Sequence, residues 1–532
     1  MNSNRYLYIT VFASGMSILG VELSASRLLD PFFGNSLIIW ANLIGLVLLY
    51  LSVGYALGGR WADKDPRPST FFQIIAWGAF LSGLVPVVSR PILSLSVSGF
   101  AAYSGGVLLG SLLAVLLLLS VPLTLLAMAS PFAIRLAVTD VDRAGQTAGA
   151  IYAWSTIGSI LGTFLPVLVL IPNIGTRLTF MVFSITLQVI AIGGLYTSAR
   201  AKAGLHSALL IITLLLAFFT TAGPIRADEG TIFETESQYN YIQVIQKESD
   251  IILKLNEGQG IHSVYNSELQ IVGGIWDYFL VAPYFNNVPY LADDLKSVLI
   301  IGAAAGTVSK ELTLVHGPIP IDGVEIDPAI SQVGRDFFEM NEPNLTTINQ
   351  DGRYYLANAN KTYDMIAVDA YRPPYIPFQL TTVEFFQEVS DHLTDDGIVA
   401  INAGRLAQDY SLVTALGSTM KVVFPNVYIL DTPDYGSDFG NSLIIGTKSA
   451  TLDTNFTNNI ALNPHPLIQY VAERSLSSRI FEITCTPGQA YSPIIGDLPV
   501  AIETDCITTF TDDKAPVEQV LHGLIIRYLL GL

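Results

Sequence analysis

Long uncharged apolar runs fill the first 224 residues, and shorter apolar segments broken by charge and glycine fill the rest. Seven runs approach the roughly 20 residues that a helix needs to cross a bilayer: near 6–28, 37–57, 71–93, 105–128, 148–171, 178–196 and 203–221. They predict a multi-pass α-helical membrane domain over residues 1–224, with seven transmembrane helices in contact with the lipid bilayer. The first run is too long, and too soon followed by a second, for a cleaved signal peptide. Segment 104–136 has room for an additional re-entrant turn. Glu22 lies inside the first run, where an acid is costly unless paired or protonated; Arg27 and Asp30 are the partners nearest in sequence.

After residue 224 the period changes. Segments 239–246 and 250–256 alternate apolar and polar positions and read as a β-hairpin turned at Glu248-Ser249. They mark a small N-terminal β-subdomain over residues 225–295. From Lys296, strands, Gly-containing turns and helices alternate, the pattern of a parallel sheet covered by helices. Residues 296–532 are therefore expected to form a Rossmann-like, nucleoside-binding α/β domain. The apolar segment 520–532 would pack on this domain or on a partner.

Charge sharpens this division. Of 27 basic and 45 acidic residues, 11 and 6 precede Pro224, leaving 16 and 39 in the soluble part. Such acidity argues against nucleic acid, whose phosphates need clustered Lys and Arg. It suits a solvated surface or an acidophilic or saline habitat, or a cationic substrate. Arg5, Arg60, Lys64, Arg67, Arg135, Arg143, Arg200 and Lys202 fall on the N-terminal side of the predicted helices, against Arg27, Arg90, Arg177 and Arg226 on the other. By the positive-inside rule the N-terminus is cytoplasmic. Seven crossings of the cell membrane then put the soluble part outside the cytoplasm. Outside, the only two cysteines, Cys485 and Cys506, would pair; the alternative is two separate buried thiols. The six histidines lack ligand spacing, so no metal site is expected.

The candidate chemistry lies at strand ends. SVLIIG (297–302) runs into GAAAGT (302–307) and a helix from about Val308. Small residues there admit a ligand to the backbone, and a helix N-terminus offers free N–H groups. The next strand ends in VEID, placing Glu325 where a carboxylate can accept both ribose hydroxyls. Asp351-Gly352 follows a third strand, at the edge where an adenine would lie, and a fourth strand, YDMIAVDAYR (363–372), ends in Asp369. Because ligands sit at the carboxyl ends of strands in such sheets, Gly302, Glu325, Asp351 and Asp369 are expected to converge on one nucleoside site.

Several segments resemble the spermidine synthase family, and more closely its membrane-fused bacterial members: ESQYNYI, LIIGAAAG, VEIDP, QDGRYYL, YDMIAVDA, PFQLTTVEFF and TDDKAPVE. Resemblance extends into the apolar half through ELSASRLLDPFFG and AIYAWSTIGSILGTFLPVL. It implies transfer of an aminopropyl group from decarboxylated S-adenosylmethionine, as co-substrate, to an amine, without a metal. It further implies that Glu325 holds the ribose, that Asp351 and Gly352 hold the adenine, and that Asn240 replaces the family's Gln beside the nucleoside. Asp369 would deprotonate or orient the amine, which has no lone pair as an ammonium. Gln259, Trp276, Asp277, Tyr371 and Arg372 fall on the substrate side. Spermidine synthases are usually dimers or tetramers, which implies a homo-oligomer.

Three departures bear on the substrate. Ala305 stands where the glycine loop usually carries an Asp for the donor's amine, Arg372 replaces a second Asp, and Trp276-Asp277 replaces a His-Glu pair. Arg372 would repel a polyamine by about 1–4 kcal/mol per charge pair at close range and would welcome a carboxylate. Methyl or alkyl transfer from intact S-adenosylmethionine to another nucleophile is thus an alternative reading. A non-catalytic membrane binding or transport protein is a third.

Overall fold

The computed structural model describes residues 3–33, 37–100, 106–220, 228–256, 260–371, 376–407, 409–433, 439–499, 502, 506 and 508–520. Gln259, Arg372, Arg226 and nearly all of the apolar segment 520–532 lie outside them. The chain divides into two compact units, Met1–Asp228 with Glu234–Tyr241, and Glu229–Phe233 with Ile242–Leu532.

Among the described residues of the first unit, six stretches are long and apolar enough to cross a membrane: Arg5–Phe33, Ile38–Lys64, Pro68–Ser96, Leu108–Ala137, Val141–Ser198 and Arg200–Phe219. Two of the seven expected runs are joined within Val141–Ser198. Its 58 residues would measure roughly 87 Å as one straight helix, far more than a bilayer, and the helix breaks at Gly175, where φ is +77°. The parts before and after the break both pack on the first helix. The earlier part does so through small residues: a Cβ on Gly158 or Gly162 would lie 2.0 Å from the Phe12 carbonyl oxygen or 2.1 Å from that of Met16. Only glycine lets the two backbones meet so closely.

The last residues of this unit are anchored from two sides. Arg27 Nη1 donates to the Tyr239 carbonyl at 2.9 Å, and Nη2 donates to that of Ser237. Thr176, at the helix restart after Gly175, donates its backbone N–H (2.7 Å) and its hydroxyl (2.5 Å) to Glu236. A carboxylate suits that position because the first N–H groups of a helix have no partner within it.

The soluble part opens with strands β1 (Thr231–Glu236), β2 (Tyr241–Lys247), β3 (Asp250–Leu255) and β4 (Ile261–Tyr265), in the order β1-β2-β3-β4. The β2–β3 register ends at Lys247 opposite Asp250, so the expected hairpin turns at Glu248-Ser249. Among the described residues nine further strands follow: β5 (Val298–Ile301), β6 (Ile321–Val324), β7 (Leu345–Ile348), β8 (Tyr363–Val368), β9 (Leu393–Leu406), β10 (Asn426–Asp431), β11 (Phe439–Thr447), β12 (Ile480–Thr486) and β13 (Gln489–Ile495). They form one sheet in the order β13-β12-β10-β11-β9-β8-β5-β6-β7.

The sheet is parallel from β7 to β9, as the sequence predicts. It is antiparallel from β9 onward, which the sequence reading did not anticipate. Both faces of β5 are covered: Leu299 and Ile301 join one apolar cluster, and Val298 and Ile300 another. That is why the strand reads as a continuous apolar run. The chain builds β5, β6 and β7 outward to one edge and then returns to lay β8 on the other side of β5. Between β5 and β8, therefore, the strand order reverses, which is where ligands sit in such sheets. Cys485 and Cys506 form a disulfide, with Cα atoms 5.2 Å apart.

Candidate active site

At the carboxyl end of β5 the chain turns sharply. Gly302 has φ +88°, and a Cβ there would lie 2.6 Å from the Ala370 backbone nitrogen. The ends of β5 and β8 thus touch backbone to backbone, and this requires glycine. The turn closes at Gly306, also at positive φ, where the helix Thr307–His316 begins. Ala305 is buried in an apolar cluster with Ile242, Val244, Leu253, Ile330 and Val333, and its N–H donates to Ser263 Oγ at 3.0 Å. Its methyl group offers no polar contact, and its surroundings belong to the packing between the glycine turn and the small sheet.

Glu325 follows β6 and is buried. Its Oε2 accepts the Ala304 N–H at 3.1 Å and its Oε1 that of Asp327 at 3.0 Å. Each oxygen keeps a second acceptor position, so the carboxylate can tie down the turn and still receive two hydroxyls. Burial lifts its pKa to about 7 against these two donors. Asp351 follows β7 and caps the short helix Gly352–Asn358, accepting the Tyr354 N–H at 3.0 Å. A Cβ on Gly352 would lie 2.3 Å from the Ile301 side chain, so this turn lies against the end of β5.

Asp369 follows β8, and its N–H is held by the Ile301 carbonyl at 2.9 Å. Both carboxyl oxygens have donors: the Trp276 indole at 3.1 Å on Oδ2 and the Asn402 amide at 2.8 Å on Oδ1. Burial raises its pKa to about 7, and the two donors oppose the rise. A base poised near neutrality combines a substantial ionised fraction with real proton affinity. Tyr371 accepts the Gly404 N–H of β9 at its hydroxyl, and burial raises its pKa.

Trp276 and Asp277 are neighbours with different tasks. Trp276 faces Asp369, whereas Asp277 is fully buried and accepts the Gly273 N–H at 3.1 Å, with Arg474 3.5 Å away. Glu311, whose Oε1 accepts the Val272 N–H, is raised well above the usual carboxylate range by burial and by the charge of Asp277. Asp277 is thereby an internal tie for the turn that presents Trp276. Asn240 belongs to the stretch grouped with the helical unit, where it is buried and its N–H donates to Ser237 Oγ at 2.9 Å.

Gly302, Glu325, Asp351 and Asp369 thus stand at the carboxyl ends of β5, β6, β7 and β8, around the point of reversal. Sequence reading overlooked Asn402. A lone amide inside the apolar run IVAINAG was the available signal, because a buried amide demands partners.

Residues 279–455 match the family described as spermine/spermidine synthase domain. A probable polyamine aminopropyl transferase of Bifidobacterium longum (strain NCC 2705) is 31% identical over 300 residues, covering 55% of this chain and 63% of that protein. The chain thus spans less than two thirds of that relative's length. Polyamine aminopropyltransferase 2 of Ralstonia nicotianae (strain ATCC BAA-1114 / GMI1000) is 24% identical over 425 residues, 75% of this chain and 79% of that protein. That alignment is too long for the soluble part alone and reaches into the apolar helices. A crystal structure of a probable spermidine synthase from Corynebacterium glutamicum ATCC 13032 covers 47% of this chain and 95% of its own, at a TM-score of 0.37 and 16% identity. Residues 279–455 are thus similar to the spermine/spermidine synthase domain, and the same chain carries, among the described residues, six long apolar stretches.

Proposed function

We propose that this protein transfers the aminopropyl group of decarboxylated S-adenosylmethionine to an amine. The observation that carries the proposal is Asp369: a carboxyl with a pKa near 7, at the strand reversal, one backbone contact from the Gly302 turn, with only β5 between its strand and the strand that leads to Glu325. The acceptor's ammonium gives a proton to Asp369, and its freed lone pair attacks the aminopropyl carbon bound to the sulfonium. The carbon–sulfur bond breaks, its electrons return to sulfur, and methylthioadenosine leaves. Glu325 accepts the ribose hydroxyls, Asp351 and Gly352 flank the adenine, and Trp276 and Tyr371 complete the surroundings of donor and acceptor. The names of the relatives, which are polyamine aminopropyltransferases, support transfer of an aminopropyl group to an amine.

The full-length protein in detergent, given decarboxylated S-adenosylmethionine and a panel of mono- and diamines, is expected to release methylthioadenosine only when both are present. Release of S-adenosylhomocysteine from the intact donor would replace this reading with methyl transfer. No product from either donor would leave a binding protein.

We also propose that the soluble part lies outside the cytoplasm. Three observations support it: the basic residues gathered on the Arg5 side of the helices, the Cys485–Cys506 disulfide, which persists in oxidising compartments, and the hold of Arg27, at the far end of the first helix, on Ser237 and Tyr239. Alkaline phosphatase fused after Asp228 is expected to be active. A fluorescent green fluorescent protein and an inactive phosphatase at the same position would overturn the assignment.

A further inference from the structure

We infer that Asn402 is a positioning residue for Asp369, and that Asn441 sets the direction in which the Asn402 amide points. The two ends of a carboxamide have nearly the same shape and opposite hydrogen-bonding character. Turned one way, Asn402 gives Asp369 a donor; turned the other, it gives an oxygen facing an oxygen. In the structure Asn402 is buried and its Nδ2 donates to Asp369 Oδ1 at 2.8 Å. Its own Oδ1 accepts from Asn441 Nδ2, also at 2.8 Å.

The sheet explains why Asn441 can do this. β9 and β11 are antiparallel, with Asn402 opposite Leu443 and Gly404 opposite Asn441. Asn402 and Asn441 are thus diagonal neighbours on one face, within reach of side chains of this length. Asn441 is itself held: its carbonyl accepts the Thr432 hydroxyl at 2.8 Å and the Thr432 N–H at 3.0 Å, and its N–H donates to the same hydroxyl at 3.3 Å. A line of hydrogen bonds therefore runs from β11 through β9 to the end of β8.

Among the described residues, Trp276 and Asn402 bond to Asp369, and the neighbouring titratable group is the Tyr371 phenol, whose ionisation Asp369 opposes. The catalytic meaning of the inference rests on Asp369 being the base. Its test needs no turnover, because the Trp276 indole donates to Asp369 and its emission reports the ionisation directly. The other four of the five tryptophans, Trp40, Trp61, Trp77 and Trp154, are in the apolar helices and can be replaced by Phe in the full-length protein.

The emission of Trp276 is expected to titrate near neutral pH and to lose that transition in Asp369→Asn. Asn402→Asp, the same shape with a carboxylate facing a carboxylate, should raise the midpoint by about one pH unit or more. Asn441→Asp should also raise it, because residue 441 then attracts the Asn402 amide nitrogen and turns its oxygen toward Asp369. Asn441→Leu, which removes the hold without adding charge, should raise it less. A midpoint unmoved by both Asn441 variants would overturn the inference. So would an Asn441→Asp shift that persists in full when Asn402 is Leu, because it would then act by charge alone. Shifted midpoints in a protein that releases no methylthioadenosine would uphold the positioning and sink only the transferase reading.

Discussion

Asp369→Asn is expected to lower turnover by about 10²–10⁴-fold, the range a positioned general base contributes, while nucleoside affinity changes little. Asparagine keeps the shape and can keep one oxygen for a donor, but it cannot take the proton an ammonium must lose. The pH dependence of the wild-type rate follows from the pKa of about 7: activity should rise through neutrality as Asp369 ionises. The same group opposes stability. Its pKa is higher folded than unfolded, so between about pH 4 and pH 7 the folded state holds a proton that the unfolded state has released. Stability from this group therefore falls as pH rises through that window. The variant should unfold at a higher temperature than wild type at pH 8 and lose the advantage near pH 4. Undiminished turnover would remove Asp369 from the mechanism, and equal melting at both pH values would remove the buried-charge explanation of its pKa.

Gly302→Ala is expected to cost at least about 10²-fold in activity, comparable to an ångström of misplacement at a reacting centre. Two effects combine. A left-handed backbone costs a residue with a Cβ roughly 1–2 kcal/mol, and the added methyl would lie 2.6 Å from the Ala370 nitrogen and 2.7 Å from the Asp369 carbonyl carbon. The second effect pushes Asp369 away from the Gly302 turn. Gly317→Ala separates the two, because Gly317 also has positive φ (+74°) but nothing within 4 Å of its would-be Cβ. It should lower the melting temperature and spare activity. Similar activity losses in both variants would mean that strain alone accounts for the Gly302 effect.

What the sequence disclosed follows from how local each signal is. The glycine turn after β5, the acid after β6 and the acid after β8 were legible because each is fixed within a few residues by an apolar strand and a small-residue break. The hairpin at Glu248-Ser249 was legible for the same reason. Trp276 could be picked out by resemblance, but its partner could not, because the bond to Asp369 spans 93 residues. Asn402 and Asn441 depend on the register of an antiparallel pair that nothing in their neighbourhoods announces. The internal partners of Asp277 were not legible either, because Arg474 is 197 residues away. Gly175 turned two apolar runs into one interrupted stretch, which hydropathy alone cannot resolve.

The reversal of strand order has a consequence for how the protein is made. β5 is the middle strand of the parallel part of its sheet, yet one of its two neighbours, β8, ends at Val368, whereas β5 ends at Ile301. At a synthesis rate of about 5–20 residues per second, one side of a wholly apolar strand waits unpaired for several seconds after it emerges. A nascent chain stalled anywhere between β5 and β8 would present an open edge of four apolar residues, the kind of surface on which chains aggregate. The order of strands that creates the site also sets a delay during which the growing polypeptide depends on protection from its surroundings.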